Sequence, residues 1–95
     1  MNPVVHEPAR LLIMSILSGV EIADFSALLQ TTMLTKGNLS SHLSRLERAG
    51  YIEVIKSFRA KIPHTDYRLS PEGQDALGKY WQELDEIKAY YHPEG

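Results

Sequence analysis

Cysteine is absent from the 95-residue chain, which removes disulfides, thiolate metal sites and cysteine nucleophiles. Long apolar runs are missing too. The longest, Leu11 to Met14, falls far short of the roughly 20 residues that a membrane-spanning helix needs. The opening MNPVVHEPARLL has no basic n-region and no apolar stretch of cleavage type, so a cytoplasmic protein without a membrane role is expected. No glycine-rich phosphate loop, nucleophile elbow or paired-carboxylate constellation occurs. An enzyme is therefore the least expected class, and no cofactor is called for. His6, His42, His64 and His92 are scattered singly, without a spacing such as HxxxH, so no metal site is expected. His42, beside a leucine face, reads as a helix-packing residue.

An overall positive charge is also lacking, since the net is −2. Its distribution matters more. Residues 36–68 carry seven basic side chains against three acidic, a local net of +4. The preceding 35 residues sum to −2 and the 27 that follow to −4. A phosphate-facing surface needs a local excess of positive charge, not a basic protein. With 43% hydrophobic and 23% charged residues, residues 1–95 read as one globular domain, because two would each be too small for a core.

Along the chain, Glu7-Pro8 predicts a helix start and Gly19 its end. Leu11, Leu12, Ser15 and Ile16 recur on one face, with Ile13 and Leu17 beside them. Glu21 to Ala23 reads as a short extended piece. Asp24 caps a second helix striped by Phe25, Leu28 and Leu29, which Thr31 and Thr32 break. Thr35 caps a third, running to Ala49-Gly50. Tyr51 to Phe58 reads as a strand, Arg59 to His64 as a loop because Pro63 excludes a central strand, and Thr65 to Leu69 as the return strand. Ser70-Pro71-Glu72 combines a cap, a first-turn proline and an acid. The helix it starts is expected to run from Pro71 to about Tyr91. This order predicts an α+β fold, mainly α: a winged helix-turn-helix with a two-stranded β-wing and a long C-terminal helix.

The third helix carries the functional signal. Leu39, Leu43 and Leu46 mark its inner face. Outside lie Gly37, Ser40, Ser41, Ser44, Arg45 and Arg48. An ordinary surface helix carries Glu and Lys there; glycine, asparagine and serine are poor helix formers. A small, polar, partly basic face suits the major groove, which is about 12 Å wide and admits one helix. The free amides of Lys36 and Gly37 suit a phosphate. The serines offer hydrogen bonds to base edges, and Arg45 a bidentate contact to guanine. The expected contacts to double-stranded DNA are Thr35, Lys36, Gly37, Asn38, Ser40, Ser41, Ser44, Arg45 and Arg48. Lys56, Arg59 and Lys61 add a basic hairpin for the adjacent backbone or minor groove.

The stretches LTKGNLSSHLSRLERAGYIEVIKSF and PHTDYRLSPEGQDAL resemble the small stand-alone winged-helix transcriptional regulators of the MarR/ArsR-like class. The resemblance extends from the first helix to the last. It implies that residues 35–49 form the recognition helix and residues 56–64 the wing, in a homodimeric repressor or activator. Two features depart from that class. The cysteines of ArsR-type metal sensors are missing, and so are the extra terminal helices that build the ligand pocket of longer MarR proteins.

In the last helix Leu77, Tyr80, Leu84, Ile87 and Tyr91 alternate spacings of three and four, an a/d seam that Trp81 and Ala76 widen. Residues 71–91 are therefore expected to pair with a second copy, through Leu77, Tyr80, Trp81, Leu84, Ile87 and Tyr91. The competing expectation is that this helix folds back over its own domain. An unknown small-molecule effector is a further possible partner, with Tyr51, Tyr67, Tyr80, Trp81, Tyr90 and Tyr91 as candidate lining. The alternative function is a winged-helix protein–protein interaction module; such modules often lose the basic wing and polar reading face kept here.

Overall fold

A computed structural model describes residues 1–94. The elements run α1 (Pro8–Ser18), β1 (Ala23–Asp24), α2 (Phe25–Thr32), α3 (Lys36–Arg48), β2 (Ile52–Arg59), β3 (Ile62–Leu69) and α4 (Pro71–Lys88). This is a winged helix, four helices and a small antiparallel sheet.

Side-chain oxygens start every helix. Glu7 accepts from the amides of Ala9 and Arg10, Asp24 from Ala27, Thr35 from Asn38 and Ser70 from Gly73. Each contact satisfies a donor that a helix end leaves unpaired. The core joins Ile13, Met14 and Leu17 of α1 to Leu28, the three α3 leucines, Ile52, Leu77 and Tyr80. Val4 and Val5 complete it from the segment before α1, an addition that no periodicity announced. In α1 the expected face is rotated: Leu12 is exposed, and Ile13, Met14 and Leu17 point inward.

The sheet has three strands in the order β1-β3-β2 rather than two. β1 adds a short rung, Ala23 opposite Tyr67 and Asp24 opposite Asp66. The hairpin is longer than expected and its loop shorter. Arg59 pairs with Ile62, so only Ala60 and Lys61 turn the chain, both with positive φ (50° and 66°). A two-residue turn with both central residues left-handed matches the right-handed twist of the strands. Pro63 lies within β3, opposite Phe58. β3 is central in order, but β1 reaches only Asp66 and Tyr67, so Pro63 sits where β3 has one neighbour and needs no second ladder donor.

Two helix ends also differ. α2 includes Thr31 and Thr32; their hydroxyls donate to the carbonyls of Ala27 and Leu28, and Met33, left-handed at φ 60°, ends the helix. α4 stops at Lys88, not Tyr91. Tyr90 and Tyr91 donate to Ile87 and Lys88 in tighter i→i+3 turns, and Pro93 disfavours helical backbone at His92. Among the described residues no helix is long and apolar enough to cross a membrane.

α3, the hairpin and α4 meet at one junction. The Ser70 hydroxyl donates to Gly50 O at 2.5 Å, and the Ser70 amide to Tyr51 O at 3.0 Å. A Cβ on Gly73 would fall on the Tyr51 carbonyl oxygen and lie 2.9 Å from Leu69 Cδ1, so only glycine lets α4 start so close.

Candidate nucleic-acid interface

The three leucines of α3 are buried, which fixes what the helix shows outside. Lys36, Gly37, Asn38, Ser40, Ser41, Ser44 and Arg48 are exposed, and Arg45 is half-buried. The exposed face divides in two by helical spacing. Asn38, Ser41, Arg45 and Arg48 form one stripe. Ser40, Ser44 and Glu47 form the other and face the hairpin across a groove completed by Val54, Lys56, Thr65 and Tyr67. Thr35 is exposed but its hydroxyl is committed, accepting from Asn38 N at 3.1 Å.

Alternation along the strands separates the wing cations. Lys56 lies opposite Thr65 and shares the α3 side of the hairpin. Arg59, three residues on, belongs to the other face. Its guanidinium lies 3.8 Å from the Asp66 carboxylate. Lys61 sits in the turn, exposed. Arg68 pairs across the ladder with Glu53 at 2.6 Å and adds no free positive charge. The twelve expected contacts thus occupy one helix face and one hairpin, and Arg59 is held away from α3.

Three further groups lie on and around this surface, and of them only His42 is legible in the sequence. Glu47 puts a carboxylate in the groove. Burial, then the nearby Glu47 charge, pushes the Tyr67 phenol above its ordinary range. On the far side of α3, His42 does act in packing: its Nδ1 lies 3.3 Å from Arg10 Nη1 and 3.6 Å from Glu7 Oε2, tying α3 to the start of α1. The third group is Asp24, His64 and Asp66, whose ligand-type atoms lie within 4.8 Å of one another. With His64 expected in the loop and Asp66 in the return strand, their shared face comes from the longer β3, and Asp24 joins them through the sheet register.

The C-terminal seam splits. Leu77 and Tyr80 are 3% and 4% exposed and belong to the core of their own chain, because α4 folds back on α1. Tyr80 also bonds His6 Nδ1 at 2.7 Å. Leu84 is partly buried against the core, while Trp81, Ile87, Tyr90 and Tyr91 are exposed. The aromatic residues are dispersed. Tyr67 lines the α3 groove, Tyr51 accepts from Asn2, and Tyr80 packs edge-on to Trp81.

Residues 9–88 match the family model described as a winged helix DNA-binding domain. The uncharacterized protein MJ0432 of Methanocaldococcus jannaschii is 33% identical over 75 residues, 79% of this chain and 82% of that protein. A solved transcriptional regulator homologue from Pyrococcus horikoshii is 30% identical with a TM-score of 0.86, over 93% of this chain and 87% of its own. YodB of B. subtilis, in its diamide-treated form, shares the fold at 16% identity and a TM-score of 0.83, over 95% and 88% of the two chains. With a basic-edged polar helix and a wing around a matching core, the chain belongs to the winged helix DNA-binding domain family, whose members bind DNA and are not enzymes.

Proposed function

We propose that the protein is a sequence-specific, homodimeric transcriptional regulator in the cytoplasm, of the MarR/ArsR-like kind. α3 enters the major groove and the wing follows the adjacent backbone or minor groove. The outer face of α3 carries this reading: Gly37, Ser40, Ser41 and Ser44 leave room for close approach, and Arg45 and Arg48 bring charge beside them. Lys36 and the free amides at the start of α3 engage a phosphate, as do Lys56 and Lys61. The second copy docks on the exposed outer part of α4, through Trp81, Leu84 and Ile87 with Tyr91 just beyond. Leu77 and Tyr80 support that face from within. Two reading helices related by a two-fold axis would lie about 34 Å apart, one turn of DNA.

Selection of bound sequences from a random duplex pool tests this directly. A palindrome is the expected product. Binding to mixed duplex DNA across a salt series gives the second readout, a steep fall in affinity as phosphate contacts release counterions. Absence of binding at low salt would instead make the domain a protein-interaction module.

A further inference from the structure

We propose that Asp24, His64 and Asp66 form a site for one divalent transition-metal ion that joins the start of α2 to the root of the wing. The sheet builds it. β1 and β3 place Asp24 directly opposite Asp66, and alternation puts His64 on the same face of β3. His64 Nε2 lies 3.0 Å from Asp66 Oδ1, and the three ligand atoms fit within 4.8 Å. Two ligands each about 2.1 Å from a zinc ion are separated by little more than 3 Å in a tetrahedral site, so small side-chain rotations close this one.

The surroundings favour a cation. Asp66 is buried and the other two are half-buried, so these are not solvated surface acids. Carboxylates on directly opposed strand positions repel each other. Besides His64, the one basic group among the described residues within 4.0 Å of Asp66 is Arg59, at 3.8 Å on a two-thirds-exposed side chain. Asp24 is pre-oriented: its Oδ1 accepts from Ala27 N at 2.8 Å, which leaves the second oxygen for a metal. One imidazole and two carboxylates, with no sulfur, suit Zn²⁺ or Mn²⁺, with water in the remaining positions.

The site has a consequence that rests on the DNA-binding reading. Alternation sets Arg59 on the face away from α3, and Asp66 is the anchor that holds its guanidinium there. An ion that takes Asp66 neutralises that anchor and frees Arg59 for phosphate.

Titration of the metal-stripped full chain with Zn²⁺ by calorimetry is the test. One ion per chain is expected, bound more tightly than about 100 μM. Asp24→Asn keeps a good helix cap and His64→Gln keeps a polar strand residue; each is expected to weaken zinc at least about tenfold. Melting curves of the metal-free variants verify that they fold, and should one fail, the other carries the comparison. No saturable binding, or equal affinity in the folded variants, overturns the site. DNA affinity measured with and without Zn²⁺ is a separate readout. A gain of up to about fivefold, absent in Arg59→Ala, is expected from releasing one surface ion pair. A flat response with zinc bound removes the Arg59 coupling and leaves the site. Failure of DNA binding under all conditions removes the function proposed above and leaves the zinc titration intact.

Discussion

Among the described glycines, Gly73 is the one where an added methyl group would clash with backbone. Its α-carbon faces the Tyr51 carbonyl and the Leu69 side chain, and the carbonyl is backbone that already accepts the Ser70 amide. Gly73→Ala is expected to cost about 2 kcal/mol or more, read as a lower urea midpoint. Glu7 contributes to the acid limb of stability. Burial alone would raise its carboxyl, but hydrogen bonds from the Arg10 and Ala9 amides and the His42 and Arg10 charges together hold it below 4.5. A carboxyl depressed by folding contributes stability above its unfolded value and loses it as pH falls through its folded value. Glu7→Gln is therefore expected to lower the melting temperature at neutral pH and to flatten its fall in acid, where the wild-type carboxyl loses the same contribution. The residue scale is also where sequence reading was weakest. His42 was recognised as a packing residue because it flanks three leucines. Its partners Glu7 and Arg10 lie more than thirty positions away, beyond any local pattern.

At the scale of elements the local code was strong. Glu7-Pro8, Asp24, Thr35 and Ser70-Pro71 marked four helix starts because a cap is written in adjacent residues. Ends were harder. Pro63 reads as a strand breaker and shortens the expected hairpin; only the register, which leaves it a single neighbour, removes the objection. Nor does the sequence mark the turn with Asn-Gly. Ala60 takes a left-handed conformation that costs a non-glycine residue roughly 1–2 kcal/mol, and Asn tolerates it better. Ala60→Asn is expected to raise the melting temperature by a few degrees, a gain of up to about 1 kcal/mol. The proposed DNA contacts are legible as types from helical spacing; which stripe faces the hairpin, and the pairing of Arg59 with Asp66, needed the sheet. Arg45→Ala is expected to relax sequence discrimination, with about 1–3 kcal/mol lost on the preferred site. Lys61→Ala should weaken all duplexes alike and lower the salt slope by about one. Equal losses on all sequences from both changes would refute that separation of roles.

Across the whole molecule, charge and shape are both lopsided. The described chain measures 59 × 25 × 20 Å, and the positive middle segment is bracketed by acidic ones. Acidic α4 would be repelled from a duplex, which favours approach through α3 and the wing. It also leaves Trp81 and Ile87 uncovered. Trp81 and Ile87, both about half exposed, should hold the dimer. Trp81→Glu with Ile87→Glu is expected to shift the sedimentation coefficient at micromolar concentration to that of a monomer without loss of helical content. A wild-type protein that sediments as a monomer would withdraw the dimer. The sequence exposed the stripe but not its division, because Leu77 and Tyr80 share its spacing while α1 and His6 cover them.

The junction of Gly50, Tyr51, Ser70 and Gly73 has a mechanical meaning. α4 is about 27 Å long, and its first turn is bolted to the two residues that leave α3. A displacement at Ile87 would therefore be passed to α3 through this junction rather than through a free linker. A partner gripping the far end of α4 would bear on the pitch at which α3 is presented.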